Sequence, residues 1–214
     1  MNKIGVINYG LSNLTSISNA LQYCQIPYEI VNHYDSSYED EYSGFILPGV
    51  GSFGRAMQII RESSLEDYLK FNIKKLNKPI LGVCLGMQLL FEESEESLES
   101  ENEKGLGFLP GVITKFSESD LKVPHVGWNN VNHDNQGLFE NIKNNQDFYF
   151  DHSYYLICQP CECSSIATST YGVEFFSSIQ LNNIYGVQFH PERSQIEGLK
   201  IFLNFAKTCG VNFA

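Results

Sequence analysis

The sequence predicts an α/β fold in three layers, with a mixed, mostly parallel central sheet and helices on both faces. Two observations carry this. Over the first ninety residues, short and nearly continuous apolar runs alternate with stretches whose apolar residues recur at helical spacing, the pattern of a parallel sheet covered on both sides. From residue 111 onward most runs are short and β-like, separated by turn residues, until a final amphipathic stretch.

Taken in order, KIGVINY (3–9) is a buried strand ending at Gly10. Leu14, Ile17, Ala20, Leu21 and Cys24 fall at helical spacing in 12–24, and Ser12 is the expected N-cap. YEIVN (28–32) and GFILPG (44–49) are two further strands, the second leading through glycines into a helix at PGVGSFGRAMQIIRE (48–62). SLEDYLKFNIKKLN (64–77) is an amphipathic helix halted before Pro79. PILGVC (79–84) is again strand, and MQLLFEES (87–94) is expected to be helix, its end and the acidic stretch to residue 104 lying on the surface. The β-like runs that follow are GVITKF, VPHVGWNNV, DFYFDHSYY, SSIATSTYG, VEFFSSIQL and IYGVQFHPE, and a helix with a broad apolar stripe closes the chain at 194–210. The whole of 1–214 is expected to be one domain, long enough for a sizeable core.

A formal charge of −11 argues against a nucleic-acid partner. No apolar run approaches the roughly 20 residues that span a bilayer, and MNKIGVINYG enters a strand directly, so no membrane association and a cytoplasmic location are expected. Six cysteines do not make a disulfide scaffold in a chain of this size. Cys158, Cys161 and Cys163 invite a metal, but no second pair of ligands answers them, so neither metal nor cofactor is expected.

The chemistry gathers at strand ends, where open α/β sheets collect functional groups. In Gly82-Val83-Cys84-Leu85-Gly86, a cysteine stands at a strand-to-helix turn between two glycines. Such an elbow exposes a nucleophile, and a helix N-terminus favours thiolate. Alone, the motif fits a buried structural cysteine equally well. GVQFHPERS (186–194) supplies His190 at the end of an apolar strand, with Glu192 two residues on. A carboxylate there can orient an imidazole and stabilise its charged form. By itself this is more simply a histidine closing a strand beside an exposed glutamate; together with the cysteine elbow it favours a catalytic pair. LPGVGSFG (47–54) places glycines around Val50 and can turn a backbone N–H toward a developing oxyanion, with the N–H of Leu85 as a second donor. It lacks the endings of a phosphate loop.

These motifs resemble the triad class of glutamine amidotransferases, whose fold is flavodoxin-like. INYGLSNL, GLGFLPG, VPHVGWN and FYFDHSYY are similar, in the same order, to the glutaminase subunits of imidazole glycerol phosphate synthases. The resemblance implies that Cys84 attacks the side-chain amide of glutamine to form a thioester, with His190 as general acid and base and Glu192 behind it. It implies that Gln88 and Glu96 hold the amino-acid end of glutamine, that Ser153 and Tyr154 line the pocket, and that Val50 and Gly51 form the oxyanion loop. It implies as partner a (β/α)8 cyclase subunit docked near Asn13, Trp128 and Arg193, with ammonia passing through the barrel. Read from the residues alone, Glu96 looks like a solvated charge, and Trp128 fits a core aromatic beside Pro124 as well as an interface anchor. The chain departs from the family in Ser12, where glycine is usual, in Arg193, where lysine is usual, and in the cysteine-rich turn. Ammonia supply to an amidino-sugar synthase, a self-sufficient cysteine amide hydrolase and a non-catalytic binding module of the same fold are the alternatives.

Overall fold

Side-chain alternation along the strands builds the layers of the computed structural model, which describes residues 2–34, 42–98, 102–117, 121–156 and 165–212. The first strands are β1 (Lys3–Ile7), β2 (Tyr28–Val31), β3 (Tyr42–Leu47) and β4 (Ile80–Val83). Successive side chains of a strand point to opposite faces, so Phe45 and Leu47 enter one core while Ile46 enters the other. Likewise Ile80 faces one way, and Leu81 and Val83 the other.

Each core is closed by helices. α1 (Leu14–Tyr23) contributes Ile17, Ala20 and Leu21 to one face. α2 (Phe53–Glu62) and α3 (Leu65–Leu69) cover the opposite face with Phe53, Met57, Ile60, Leu65 and Tyr68. α4 (Leu85–Leu89) belongs to that second core through Leu85, Met87 and Leu89. Full burial of each large apolar side chain is worth about 1.5–3 kcal/mol, and this double-sided burial explains why the strands read as almost unbroken apolar runs.

The remaining elements are β5 (Phe91–Ser94), β6 (Glu103–Lys104), β7 (Leu109–Lys115), β8 (His125–Val131), β9 (Gln146–His152), β10 (Tyr154–Leu156), β11 (Ser165–Tyr171), β12 (Val173–Leu181), β13 (Ile184–Val187) and α5 (Gln195–Thr208). Within the described residues the main sheet runs β2-β1-β3-β4-β13-β12-β10-β7-β5-β6, with β11 paired to β12. β2, β1, β3, β4 and β13 are mutually parallel, and β12, β10 and β7 continue antiparallel, the mixed sheet that the sequence predicts. β8 and β9 form a separate antiparallel pair. α5 returns to the α1 side with Ile201, Phe202, Phe205 and Ala206. Among the described residues no helix is long and apolar enough to cross a membrane.

Three local expectations need correction. MQLLFEES is not one helix: α4 ends at Leu89 and β5 begins at Phe91. The carbonyls of Leu89, Leu90 and Phe91 accept N–H groups of Leu106, Phe108, Leu109 and Gly107, so pairing with the following segment replaces further helical bonds. In 64–77 the α-helical part stops at Leu69 and continues as a π-helix over Lys70–Lys75. The N-cap of α1 is Asn13, not Ser12: the Asn13 side chain accepts from the Ser16 N–H at 3.3 Å.

Candidate active site

Cys84 occupies a true elbow. It follows β4, precedes α4, and has φ +53° and ψ −113°, a conformation that side-chain-bearing residues rarely adopt. The flanking glycines are required by close approach. A Cβ on Gly86 would lie 1.8 Å from the Leu47 carbonyl oxygen, and one on Gly82 would lie 2.6 Å from the Gly86 oxygen and the Met87 Cα. The backbone N–H of Cys84 donates to Val187 of β13 at 2.9 Å, which locks the elbow to the neighbouring strand.

That neighbour delivers the histidine. β4 and β13 run parallel in register, with Gly82 opposite Gly186 and Val83 opposite Val187. Beyond Val187 the chain runs through buried Gln188 and Phe189 to His190, whose N–H donates to the Tyr149 carbonyl of β9 at 2.8 Å. Pro191 opens a 3₁₀ turn that swings Glu192 back. Its carboxylate Oε1 then lies 2.8 Å from His190 Nδ1, both side chains being almost wholly buried. Ser194 braces the turn, donating to the His190 carbonyl at 2.6 Å and accepting from the Tyr149 N–H at 3.0 Å.

Electrostatics make these groups one unit. Burial works against a charged His190, but the Cys84 sulfur, by charge and hydrogen bond, and then the Glu192 carboxylate outweigh it and hold His190 well above the ordinary imidazole value. A thiol on one side of an imidazole and a carboxylate on the other can pass a proton from sulfur to ring and on to a leaving group. The sulfur also lies 3.7 Å from the Asp151 carbonyl and 3.8 Å from Gln188 Nε2.

A cavity of about 270 Å³ opens over the sulfur. Of the site residues expected from the sequence, Cys84, His190, Glu192, Val50, Gly51, Leu85, Gln88, Glu96, Ser153, Tyr154, Asn13 and Arg193 line it, and Trp128 does not. Gln88, one turn beyond the elbow, donates from Nε2 to the Tyr154 carbonyl and to Gln188 Oε1, each at 3.0 Å. Glu96 is not the solvated charge its sequence context suggested. One carboxylate oxygen accepts the Phe53 N–H at 2.9 Å, where Ser52 supplies no side-chain cap to α2, and burial raises its pKa against that bond. The Val50 N–H donates to the Leu11 carbonyl at 3.0 Å. Gly51 beside it has φ +102°.

Trp128 is 48% exposed, with its ring edge-on to Tyr149 at 6.1 Å, which removes the core reading. The Arg193 guanidinium covers the other neighbourhood of that tyrosine, 4.0 Å from its ring centroid and 3.9 Å from the Asp151 carboxylate. An aromatic and cationic patch therefore borders the cavity mouth. Sequence reasoning missed Asp151 and His152, which line the cavity, and Gln188, which touches the sulfur. Their signal was position: each lies within a quoted motif, at or just beyond a strand end. Cys158, Cys161 and Cys163 lie outside the described residues.

Residues 5–209 match the family model described as glutamine amidotransferase class-I. The chain is 43% identical over 208 residues to imidazole glycerol phosphate synthase subunit HisH of Sulfurimonas denitrificans, covering 95% of this chain and 97% of the relative. It is 43% identical over 209 residues to the Bacillus licheniformis subunit of the same name, covering 94% of each. Among solved structures it is similar to a glutamine amidotransferase, with TM-score 0.72, 17% identity and coverage of 97% and 99%. It is also similar to PurLQS from Thermotoga maritima, with TM-score 0.73, 18% identity and coverage of 97% and 98%. These two likenesses concern the fold.

Proposed function

The chain belongs to the class-I glutamine amidotransferases, and from that premise we propose that it is the glutaminase subunit of an imidazole glycerol phosphate synthase in histidine biosynthesis. The observation that carries this reading is the buried Cys84, His190 and Glu192 unit beneath a cavity bordered by Gln88, Glu96 and Tyr154, in a chain over 40% identical along nearly its whole length to subunits of that name.

The Cys84 thiolate adds to the side-chain amide carbon of glutamine. His190, charged and held by Glu192 at Nδ1, gives its other proton to the departing nitrogen, and ammonia leaves behind a thioester. The now neutral His190 takes a proton from water, which attacks the thioester and releases glutamate. Glu96 and Gln88 hold the amino-acid end of glutamine, and Ser153 and Tyr154 line the pocket. Leu85 and the Val50–Gly51 loop supply the oxyanion donors. The partner is a (β/α)8 cyclase subunit seated on Asn13, Trp128 and Arg193. It receives the ammonia and joins it to a phosphorylated ribulosyl-formimino substrate to give imidazole glycerol phosphate and an aminoimidazole carboxamide ribotide. The bond from the Val50 N–H to Leu11 supports a resting state in which one oxyanion donor is engaged elsewhere. Leu11 lies two residues from Asn13, so docking at that loop releases the donor, and loss of one such donor costs about 100- to 1000-fold in rate.

The test mixes the chain with a cyclase of this class and its ribulosyl substrate and follows glutamate. Turnover should depend on both additions and vanish in Cys84→Ala. Turnover by Cys84→Ala would remove the nucleophile, and full-rate turnover by the isolated chain would remove the gating.

A further inference from the structure

His125 and His152 lie outside the triad, yet they meet at the cavity wall, which His152 lines. The β8–β9 register sets them opposite each other, with His125 Nδ1 2.9 Å from His152 Nε2. Their surroundings fix every proton. His152 Nδ1 lies 2.8 Å from the Tyr154 carbonyl oxygen, which only accepts, so that nitrogen carries the hydrogen. A neutral ring then offers a lone pair at Nε2, so His125 Nδ1 is the donor and His125 Nε2 an acceptor. The Asn129 side-chain amide answers it at 3.3 Å while donating to the Thr170 carbonyl at 2.9 Å. Burial among Phe116, Phe150 and Phe175 keeps both rings neutral. It lowers His125 to about 4 and, outweighing the bond to the Tyr154 carbonyl, lowers His152 to about 3. His190 is thereby left as the charged imidazole of the site.

The chain of bonds does not stop at Tyr154. Its carbonyl also receives Gln88 Nε2, Gln88 reaches Gln188 Oε1, and Gln188 Nε2 reaches the Cys84 sulfur. The same segment sets the Asp151 carbonyl against that sulfur. We propose that His125 and His152 are positioning residues of the glutaminase reaction, a neutral imidazole pair that fixes the Asp151–Tyr154 backbone and Gln88 against the nucleophile. This rests on the glutaminase reading of the site.

The complex with its cyclase provides the test, comparing His125→Asn with His125→Gln. An asparagine amide places a donor where Nδ1 stands and keeps the bond to His152. A glutamine amide reaches the Nε2 position and loses it. His125→Gln should lower kcat for glutamine by roughly 10- to 100-fold, the cost of a small misplacement, while His125→Asn retains most of the rate. Alkylation of Cys84 by iodoacetamide, which needs no glutamine pocket, should be unchanged in both. Equal turnover in the two variants, or turnover and alkylation falling together, would overturn the proposal. Should the buried variants fail to fold, Asn129→Ala at the outer end of the chain is read for the same split, and an unaltered kcat there counts against the pair. A wild-type complex releasing no glutamate would instead overturn the glutaminase reading itself.

Discussion

Replacing Cys84 by alanine and by glycine separates the chemistry of the elbow from its strain. Both variants lose the sulfur, so both should lose glutamine turnover. They differ in one methyl group on a backbone held at φ +53° and ψ −113°. A side chain in so sparsely populated a region costs about 1–3 kcal/mol. Glycine adopts it freely but gives up more entropy on folding, about 0.5–1 kcal/mol relative to alanine. The balance predicts that Cys84→Gly is the more stable by about 1 kcal/mol, a rise of roughly 2–4 °C in midpoint for a chain of this size. Urea unfolding of the two proteins at neutral pH measures it. If glycine were equal to or less stable than alanine, the elbow would store no strain, and the conformation would be dictated by the sulfur rather than by the fold.

Other outcomes follow from the same geometry. Burial holds His125, His133 and His152 below the ordinary value of 6.5, so the unfolded chain binds protons that the fold refuses. Stability should therefore fall as pH drops from 6.5 toward 4, by about 1.4 kcal/mol per unit for each histidine fully in that window. His190, shifted upward, opposes this where its unfolded ring still titrates, near and above pH 6.5, and adds no slope well below that, while Glu96, raised by burial, opposes weakly near the acid end, so the three lowered histidines set the sign. Urea midpoints at pH 7 and pH 5 check the sign, and a flat or rising midpoint on acidification would refute it. Gly86→Ala drives a methyl group into the Leu47 carbonyl and should cost about 3 kcal/mol or more, read as a lost or shifted unfolding transition. Trp128→Ala should leave unfolding unchanged but weaken binding to the cyclase by about 2 kcal/mol, measured by titration calorimetry. Glu192→Gln keeps the packing yet withdraws the charge behind His190 and should lower kcat by about 100-fold or more in the glutamate assay.

The core architecture was readable because strands buried on two faces must be apolar throughout, as in PILGVC and the run before His190. The elbow was readable because the glycine-flanked cysteine, ambiguous alone, came with a histidine and a glutamate at the end of another apolar strand. What escaped had its cause at a distance in the chain. β5 looked helical because Leu89, Leu90 and Phe91 prolong an apolar run, and only the carbonyl bonds to Leu106–Leu109 end the helix. Glu96 looked solvated because its partner, the Phe53 N–H, lies 43 residues away. The His125–His152 contact depends on hairpin register across 27 residues, which no local pattern declares. Trp128 was ambiguous in sequence because its side depends on the phase of β8, in which Val126, Trp128 and Asn130 share the exposed face and His125 and Val131 are buried on the other.

The bond between Cys84 and Val187 has a consequence for how such a chain can vary. Cys84 directly follows β4 and His190 lies a short way beyond Val187 on the adjacent strand, so their spacing is set largely by sheet pairing and not by the length of the chain between them. Loops joining the strands between Phe91 and Leu181 can lengthen or shorten while the reacting atoms keep their places, provided the β8–β9 pair that holds His190 and Ser194 through Tyr149 is kept. Deleting one residue from β4 or β13 would instead rotate alternate side chains through the sheet and part the two groups at once.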